Sequence, residues 1–527
     1  MLDVRDLKIT IGIDRVLIDK LNFSVGDGDK VAIIGEEGNG KSTIVKAIAC
    51  PERINSYASV SGSINTYGQK IGYLEQILDV AWADQEVYRY FLKESPFDED
   101  DYEAFEKFGE LNKILAELKI DPQILESSQK VGELSGGEKV KIQLAKLLLA
   151  NPDILILDEP TNDLDIETLE WLEDFIINYK KPIIYISHDE ELLEKTANAI
   201  LHIEQLKKKK DNKCTFVHMR YADYVKERLS NMRKQTQVAQ KERADDAEKM
   251  EKFRQIYNRV DHELNTITRQ DPHGARLLKK KMQAVKSQER RFERERQEFT
   301  DFPETEEPIK IDFGTGVIPN GKSVLNLSIG QLEIGDKCLS KNIHLNVSGP
   351  EKLVIIGKNG VGKTTLLKEI YGNLYGREDI TVGYMPQNYE DELCQYNSVL
   401  DYVAENVDTK EELTKIRTYL GCLKFTHEEV AGDIQELSGG QKAKLFIAKL
   451  MMKECDVLIL DEPTRNLSPL SNPVIRDALY AYKGAIISIS HDRKFIKEVS
   501  TRVLELKNDG LVDQTEKFKK NDDESAL

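Results

Sequence analysis

The amino-acid sequence predicts an α/β fold: two similar domains with mainly parallel sheets, joined by a long antiparallel α-helical hairpin. Three observations support this prediction. Four motifs occur twice in the same order, short apolar runs rich in β-branched residues precede them, and residues 219–267 contain neither proline nor glycine. The length of 527 residues agrees, because it exceeds the size of one ordinary domain.

The repeated motifs define the two domains. The copies are GEEGNGKST (35–43) and GKNGVGKTT (357–365), LSGGE (134–138) and LSGGQ (437–441), ILILDEPT (154–161) and VLILDEPT (457–464), and ISHD (186–189 and 489–492). The last three pairs are each offset by 303 residues, as from Leu134 to Leu437. A repeat this long indicates duplicated domains rather than a solenoid of short units. The predicted boundaries are 1–206 and 306–508 for the two domains, 207–305 for the linker, and 509–527 for a short tail that we expect to be disordered.

Each copy of the first motif lies between a predicted strand and a predicted helix. The runs KVAII and KLVII end directly before the motif, and TIVKAIA and TLLKEIY, which suit helices, follow it. Strand, glycine-rich loop and helix form a P-loop, in which main-chain N–H groups surround phosphate oxygens and a lysine reaches the β- and γ-phosphates. The candidate phosphate-binding residues are Gly35, Gly38, Asn39, Gly40, Lys41, Ser42 and Thr43, and Gly357, Asn359, Gly360, Gly362, Lys363, Thr364 and Thr365.

A candidate ligand-binding edge follows from the next apolar run. DILILD and DVLILD are almost wholly apolar, as expected for strands of a parallel sheet that is covered on both faces. Each ends in a carboxylate, Asp158 or Asp461, at the edge where such sheets bind ligands. The hydroxyls of Ser42 and Thr364 are the P-loop groups that bind Mg²⁺. Ser42 and Thr364 are therefore candidate metal ligands.

The composition excludes several classes of protein. No apolar run approaches the roughly 20 residues that a membrane span needs, and the N-terminal MLDVRDLKIT lacks a secretory apolar stretch. The six cysteines are scattered without a C-x-x-C pair, which fits a reducing compartment and argues against a structural zinc or an iron–sulfur cluster. We therefore expect a cytoplasmic protein without a membrane partner.

The linker differs from the rest of the chain in its charge. The whole sequence has a formal net charge of −17, whereas residues 207–305 contain 26 Lys and Arg against 17 Asp and Glu, a net of +9. Good helix formers dominate 219–267, the turn RQDPHG follows, and 275–299 returns as a second helix. These features predict an antiparallel hairpin with its tip near 269–275.

Basic residues concentrate around this tip. Six cations occur over the 18 residues from 269 to 286 with a single acid, Asp271. Lysine and arginine contacts to phosphates give affinity for nucleic acid without reading its sequence, and histidine or arginine planes can stack on bases. A solvated helix face is the alternative interpretation. The candidate RNA-binding residues are Arg269, His273, Arg276, Lys279, Lys280, Lys281 and Lys286.

The LSGG motif, followed about 20 residues later by LILDEP and present twice, resembles the ATP-binding cassette ATPases. The resemblance covers nearly all of residues 1–206 and 306–508. It implies that ATP and Mg²⁺ bind at two composite sites, where the P-loop of one cassette faces the LSGG motif of the other. The further nucleotide-binding residues that it implies are Gln76 and Gln387, Ser135, Gly136, Gly137 and Glu138, and Ser438, Gly439, Gly440 and Gln441.

The same resemblance implies catalytic roles in the hydrolysis of ATP to ADP and phosphate. Asp158 and Asp461 would hold Mg²⁺, directly or through water, together with Ser42 and Thr364. Glu159 and Glu462 would polarise the attacking water. His188 and His491 would donate to the γ-phosphate. Phosphoryl transfer to water needs this kind of positioning and charge neutralisation more than covalent help.

Two complete cassettes joined by a long basic hairpin resemble the ABC-F family, whose members bind the ribosome. In that family the linker enters the tRNA exit site and its tip points toward the peptidyl-transferase centre. The short interval from Lys41 to Gln76, the tip and the segment TRNLSPLSNP resemble the antibiotic-resistance branch of Gram-positive bacteria. The resemblance implies a monomeric, ribosome-associated protein that contacts rRNA of the large subunit and peptidyl or initiator tRNA, and protects against lincosamides, pleuromutilins and streptogramin A.

Three other functions remain compatible with the sequence. An ABC-F translation factor would relieve stalled ribosomes without any drug. An ATPase subunit of a membrane drug exporter would have no use for the basic tip. A DNA-repair cassette protein would bind DNA in place of rRNA.

The two copies differ after DEPT. The first reads NDLDIETLEWLEDF and the second RNLSPLSNPVIRDAL, so that Ser468 stands in place of Asp165 and Leu470 in place of Glu167. In the family that the chain resembles, this stretch crosses between the cassettes. Unequal hydrolysis or closure of the two sites is one interpretation, and neutral drift is the other.

The sequence also bears on the choice of nucleobase. No aromatic residue stands upstream of either P-loop where adenine would stack. Ile11 and Ile334 lie near that place instead. This predicts weak selection for adenine over other bases.

Overall fold

The computed structural model describes residues 1–12, 15–94, 98, 107–206, 211–266, 272–297, 299, 311–314, 316–335, 337–404 and 409–519. The chain forms two compact units, one of Met1–Tyr221 with Glu306–Leu527 and one of Ala222–Thr305. The first unit holds both predicted α/β domains, here called the first and the second domain. The second unit is the linker.

The first domain contains a six-stranded sheet and a smaller antiparallel sheet. Its strands are β1 (Leu2–Ile11), β2 (Arg15–Val25), β3 (Lys30–Ile34), β4 (Ala58–Asn65), β5 (Ile71–Leu74), β6 (Ile154–Asp158), β7 (Ile183–Ile186), β8 (Ala199–Leu206) and β9 (Asp211–Val217). The large sheet has the order β5-β6-β7-β3-β8-β9 and is parallel except for β9, which pairs antiparallel with β8. The antiparallel sheet has the order β2-β1-β4 and shares one hydrophobic core with the large sheet.

Three of the described helices of the first domain begin at a residue whose side chain caps them. They are α1 (Lys41–Ala49), α2 (Pro51–Ile54), α3 (Val87–Leu92), α4 (Phe108–Glu117), α5 (Gly136–Leu149), α6 (Ile166–Asn178) and α7 (Glu190–Thr196). At α5, the Ser135 hydroxyl accepts from the Glu138 N–H, and the Glu138 carboxylate accepts from the Ser135 N–H at 2.8 Å. This reciprocal capping box fixes the helix start within the LSGG motif. Asp165 caps α6 through the N–H of Thr168 at 3.0 Å.

The linker is a pair of helices, α8 (Tyr221–Thr266) and α9 (Pro272–Gln297). Phe253 of α8 packs against Val285 and Phe292 of α9, and Arg296 pairs with Asp246 at 2.9 Å. Positions later in α9 thus contact positions earlier in α8, which confirms the antiparallel hairpin. None of the described helices, these two included, has the length and apolar character needed to span a bilayer.

The second domain repeats the architecture of the first. Its strands are β10 (Ser323–Ile334), β11 (Lys337–Ser348), β12 (Lys352–Ile356), β13 (Val382–Met385), β14 (Val457–Asp461), β15 (Ala485–Ile489), β16 (Arg502–Lys507) and β17 (Gly510–Asp513). The six-stranded sheet has the order β13-β14-β15-β12-β16-β17, which matches the first domain strand for strand, with β17 antiparallel. This confirms the predicted duplication of an α/β domain with a mainly parallel sheet.

The helices of the second domain follow the same plan. They are α10 (Lys363–Leu374), α11 (Glu390–Leu393), α12 (Val399–Val403), α13 (Lys410–Cys422), α14 (His427–Ala431), α15 (Gly439–Lys453), α16 (Asn472–Ala481), α17 (Arg493–Val499) and α18 (Thr515–Lys519). Ser438 and Gln441 form the capping box at α15 that Ser135 and Glu138 form at α5. The strands β12, β14 and β15 are buried along their whole length, as expected for a sheet covered on both faces.

The secondary structure extends past two of the predicted boundaries. The first domain does not end at 206, because β9 adds an edge strand after it. Residues 510–519 are not a tail, because β17 pairs with β16 and α18 follows, with Phe518 packed against the core. α9 begins at Pro272, within the predicted tip near 269–275, since proline is well suited to the first turn of a helix, and residues 267–271 lie outside the described residues.

Charged side chains connect the two domains on the face formed by α6, α7, α16 and α17. The Arg476 guanidinium donates to both carboxylate oxygens of Glu190, at 2.6 and 3.2 Å, and Arg493 donates to Glu173. Arg476 is 4% exposed and Glu190 7% exposed. In these pairs the acids come from the first domain and the cations from the second, so the charges specify which faces meet.

Candidate nucleotide sites

Both P-loops adopt the conformation that the motif requires. β3 lies between β7 and β8, so its carboxyl end opens at the middle of the sheet edge, where α/β folds bind ligands. The Lys41 ammonium donates to the carbonyl of Gly35 at 2.9 Å, and that of Lys363 donates to the carbonyl of Gly357 at 2.8 Å. A Cβ atom on Gly35 would lie 2.3 Å from the main-chain oxygen of Ile203, so this loop position excludes any side chain.

The carboxylates that end β6 and β14 lie beside the P-loops. Asp158 accepts from the Ser42 hydroxyl at 3.0 Å and from the Tyr73 hydroxyl at 3.1 Å. Burial raises the pKa of Asp158 and that of Asp461. Both oxygens of Asp461 are buried and accept no hydrogen bond from the described residues. Buried carboxylate and hydroxyl oxygens in this arrangement suit a divalent cation such as Mg²⁺.

Glu159 is held by polar neighbours. Its carboxylate accepts from the Gln76 amide at 2.7 Å and from the Asn162 amide at 2.9 Å, and the Nε2 atom of His188 lies 3.4 Å away. Burial alone would raise the pKa of Glu159, but His188, Lys41 and Asn162 lower it to about 2. The carboxylate is therefore ionised at neutral pH and can polarise water.

Glu462 stands in a different environment. It accepts from the main-chain N–H of His491 at 3.2 Å, and the Nε2 atom of His491 lies 3.7 Å from it. Burial, together with the charge of Asp461, raises the pKa of Glu462, and burial beside Lys363 lowers the pKa of His491 to about 3. The corresponding residues of the two domains thus differ in electrostatics.

The backbone at both glutamates lies in the left-handed region. The φ angle is +49° at Glu159 and +55° at Glu462. Residues other than glycine rarely adopt this conformation, and where they do they cluster at functional sites. The strain turns the chain sharply after the strand and directs each glutamate toward the P-loop.

A first cavity of about 720 Å³ joins the P-loop of the first domain to the LSGG motif of the second. Its predicted residues are Gly38, Gly40, Lys41, Ser42, Thr43, Gln76 and Glu159, opposite Ser438, Gly439 and Gln441. Gly35 and Asn39 support the loop from behind, since the Asn39 amide donates to the carbonyl of Ile203. Gly440 contacts the carboxylate of Glu37.

A second cavity of about 410 Å³ joins the P-loop of the second domain to the LSGG motif of the first. Its predicted residues are Asn359, Gly360, Gly362, Lys363, Thr364, Thr365, Gln387, Asp461, Glu462 and His491, opposite Gly136. The Gly357 carbonyl accepts from the Lys363 ammonium. Three predicted residues do not line this cavity: Ser135, Gly137 and Glu138. The serine and the glutamate form the cap of α5 instead. His188, expected at the first site, lies near Glu159 but also lines this second cavity.

Several site residues were not found by sequence reasoning. Asn162 holds Glu159, and Asn466, the counterpart of Asp163, lines both cavities. Asparagine following DEPT was the available signal. The acids Glu36 and Glu37 within the first P-loop also escaped notice, because the motif leaves those two positions free. Ile11 and Ile334 do line the first and second cavities, as expected of the residues nearest the base.

The candidate RNA-binding residues fall on the linker. The side chains of Arg276, Lys279, Lys280, Lys281 and Lys286 are exposed on α9. Arg269 and the side chain of His273 lie outside the described residues. The hairpin therefore presents five of the seven cations or rings to solvent along a single helix.

Two P-loop domains that build two sites crosswise define a tandem nucleoside-triphosphatase. The family model described as "ABC transporter" matches residues 18–162 and 340–465, one match for each domain. The chain belongs to this family of ATP-binding cassette ATPases and, within it, to the ABC-F group.

Relatives align over nearly the whole chain. The putative ATP-binding protein YdiF of Bacillus subtilis is 30% identical over 96% of this chain and 80% of its own length. ABC transporter F family member 5 of Arabidopsis thaliana is 27% identical over 94% and 74%. The ribosome protection protein VmlR of Bacillus subtilis is 28% identical over 95% and 86%. The alignments thus include both domains of this chain.

A solved structure shares the fold. The archaeal ribosome recycling factor aABCE1, in its complex with the ribosomal stalk protein aP1, matches 99% of this chain and 92% of its own with a TM-score of 0.57. The sequence identity is 18%. This likeness supports the tandem-cassette architecture.

Proposed function

We propose that this ABC-F ATPase binds the ribosome, inserts its linker into the tRNA exit site and protects the peptidyl-transferase centre from antibiotics of the lincosamide, pleuromutilin and streptogramin A classes. One observation carries the proposal: the segment joining the two cassettes is a helical hairpin whose second helix exposes a row of cations near its start. A ribosome protection protein among the aligned relatives supports it.

The cation row is suited to RNA. Arg276, Lys279, Lys280 and Lys281 occupy less than two turns of α9, and all four are exposed. Exposed cations close to one another contact phosphates and release counterions, which gives affinity without sequence reading. The remaining chain is acidic, since the net charge is −17 overall and +9 in the linker region. Repulsion of RNA by the body would confine binding to the hairpin.

The proposed partners follow from this placement. They are the rRNA of the large ribosomal subunit at the exit site and peptidyl-transferase centre, and peptidyl or initiator tRNA. The protein acts as a monomer with an internal cassette pair and is cytoplasmic. It displaces a drug by shifting tRNA or rRNA rather than by modifying the drug.

ATP hydrolysis controls the cycle in this proposal. Asp158 and Asp461, with the hydroxyls of Ser42 and Thr364, would hold Mg²⁺, which neutralises phosphate charge. Glu159 and Glu462 polarise the attacking water, and His188 and His491 donate to the terminal phosphate. ATP joins the two cassettes, and ribosome binding favours the joined form; by linkage each ligand then strengthens binding of the other. Hydrolysis releases the protein.

The test is a doubly substituted protein, Glu159→Gln with Glu462→Gln. It should bind ATP, fail to hydrolyse it, and co-sediment with ribosomes several times more strongly than the wild type. The matched control is Glu170→Gln with Glu369→Gln, which neutralises one acid in each domain outside the cavities. If the doubly substituted protein co-sediments with ribosomes no more strongly than the control, the proposal that hydrolysis releases the protein from the ribosome is wrong.

A resistance profile distinguishes protection from the nearest alternative. Cells that express the wild type should tolerate lincomycin or tiamulin better than cells that express the double variant. A factor that relieves stalled ribosomes would instead alter growth without drug. Drug efflux into the medium would indicate an exporter subunit, and co-purification with DNA a repair protein.

A further inference from the structure

The first P-loop carries two carboxylates that the second lacks. GEEG at 35–38 places Glu36 and Glu37 where GKNG at 357–360 places Lys358 and Asn359. Acids are unexpected beside a site for polyphosphate, because like charges repel. Both side chains reach across to the second domain, where they occupy distinct positions.

Glu37 occupies the start of a helix. Its carboxylate accepts a hydrogen bond from the main-chain N–H of Gly440, in the first turn of α15. The unpaired N–H groups and the dipole of a helix N-terminus favour an anion. A Cβ atom on Gly440 would lie 2.7 Å from the Glu37 carboxyl carbon, so the close approach requires glycine there.

Glu36 occupies a polar pocket beside it. Its carboxylate accepts from the Lys444 ammonium at 2.6 Å, from the Ser468 hydroxyl at 2.6 Å and from the Ser471 hydroxyl. Burial alone would raise the pKa of Glu36, but the charges of Lys444 and Lys424 hold it well below its usual range. Glu36 and Lys444 are nearly buried, with side chains 12% and 11% exposed.

The other site has no such arrangement. Lys358 lies 3.4 Å from Glu167, with both side chains more than three-quarters exposed, and the Asn359 amide donates to the carbonyl of Asp163. Solvent screens this ion pair, so it contributes little. The second P-loop therefore approaches the facing domain through neutral and exposed contacts, whereas the first does so through two carboxylates.

We propose that Glu37 takes the place of the terminal phosphate of ATP at the first site, and that Glu36 anchors the P-loop while it does so. Lys41 holds the β- and γ-phosphates, so the γ-phosphate is the part of ATP that faces α15 across the cavity. An incoming γ-phosphate must displace the Glu37 carboxylate from the Gly440 N–H. Without ATP, the Glu37 carboxylate binds the Gly440 N–H between the two domains. ATP at the first site competes with Glu37 for this position.

This proposal gives a reason for the departure after DEPT in the second domain. A carboxylate at position 468, matching Asp165, would stand against Glu36 at hydrogen-bond distance. Ser468 and Ser471 donate to Glu36 instead. The acidic P-loop and the serines opposite are thus matched to each other, and drift need not be invoked. The proposal is independent of ribosome binding.

The experiment compares two nucleotides at the first site alone. Lys363→Ala would confine binding to that site, and calorimetry would measure the dissociation constants of the non-hydrolysable ATP analogue adenylyl imidodiphosphate and of ADP. Glu37→Asn, which copies Asn359, should tighten analogue binding about tenfold, because a charge-assisted hydrogen bond no longer has to be broken. ADP, which lacks the γ-phosphate, should bind within twofold of the parent.

Two results would overturn the proposal. Unchanged or weaker analogue binding would show that Glu37 does not compete. Equal tightening of ADP would show general charge repulsion rather than occupation of the γ-phosphate position. Asn359→Glu in a Lys41→Ala background provides the converse measurement at the second site, where analogue binding should weaken and ADP binding should not. Thermal unfolding of each variant confirms that it is folded.

Discussion

The Nδ1 atom of His188 lies 2.6 Å from the main-chain oxygen of Leu467, across the boundary between the two domains. The other ring nitrogen lies 3.4 Å from Glu159. One imidazole thus connects the candidate water-polarising group of the first site to the segment after DEPT in the second domain. Its counterpart His491 makes no such contact, since its Nδ1 atom is buried without a partner among the described residues.

His188→Ala and His491→Ala should therefore have unequal effects. Each should lower ATP turnover by about 100-fold at its own site, the cost of losing one donor to the transition state. His188→Ala should also loosen closure of the cassettes, because it removes the contact to Leu467. Hydrolysis assays and energy transfer between labels on the two domains measure the two effects. Equal loosening by both variants would contradict the unequal connection.

Much of this arrangement could be predicted from the sequence. The P-loop strands and helices occur where KVAII and TIVKAIA predicted them, because the hydrophobic pattern and the glycines are local signals. The crosswise sites also follow the predicted pairing. A motif that requires one local geometry predicts that geometry wherever it occurs.

Other features depend on contacts that sequence does not display. β9 begins with three polar residues and β17 has four residues in all, so neither has a clear strand pattern until it pairs with β8 or β16. Glu36 meets Lys444 and Ser468 from more than 400 positions away in the chain. Side chains at free positions of a motif acquire a role only when the domains meet.

Arg476→Ala should destabilise the protein by about 3 kcal/mol, because it removes the bidentate partner of the buried Glu190 and leaves Lys494 beside it. Chemical unfolding would measure the loss. The control Arg502→Ala removes more exposed pairs with Glu351 and Asp513 and should cost less than about 1 kcal/mol. Arg476→Met combined with Glu190→Leu should recover most of the loss, since Lys494 keeps Glu194 as a partner and Glu498 is half exposed. A double variant as unstable as Arg476→Ala would contradict this account.

The nucleobase should be weakly selected. Ile11 and Ile334 line the cavities and offer apolar contact without polar recognition, so kcat/KM for ATP and GTP should agree within about tenfold. Ile334→Tyr should tighten ATP binding by about 0.5–1.5 kcal/mol through stacking. Ile177→Tyr, on an exposed face of α6, is the control and should change nothing. Strong preference for ATP in the wild type would contradict the prediction.

Truncation after Asn508 should destabilise the second domain. It removes β17 from the sheet edge, the Gln514 side-chain contact to Glu505 and the packing of Phe518, a loss of at least about 2 kcal/mol from the apolar contact and edge pairing together. A chain ending after Lys519 keeps these elements and serves as the control. Identical thermal unfolding of the two truncated chains would show that the edge strand contributes nothing.

Neutralising the cation row should weaken ribosome binding in a salt-dependent way. The variant carries glutamine in place of four cations: Arg276, Lys279, Lys280 and Lys281. Because four charges are lost, the magnitude of the slope of the logarithm of the binding constant against the logarithm of salt concentration should fall by up to about 3. The matched control has glutamine in place of four exposed cations on α8: Lys226, Arg233, Lys234 and Lys241. The two variants therefore have the same net charge. If phosphate contact is concentrated near the start of α9, the first variant loses affinity and slope while the control retains most of both. Equal losses would instead indicate diffuse attraction along the whole hairpin, because long-range charge effects depend on net charge rather than on position.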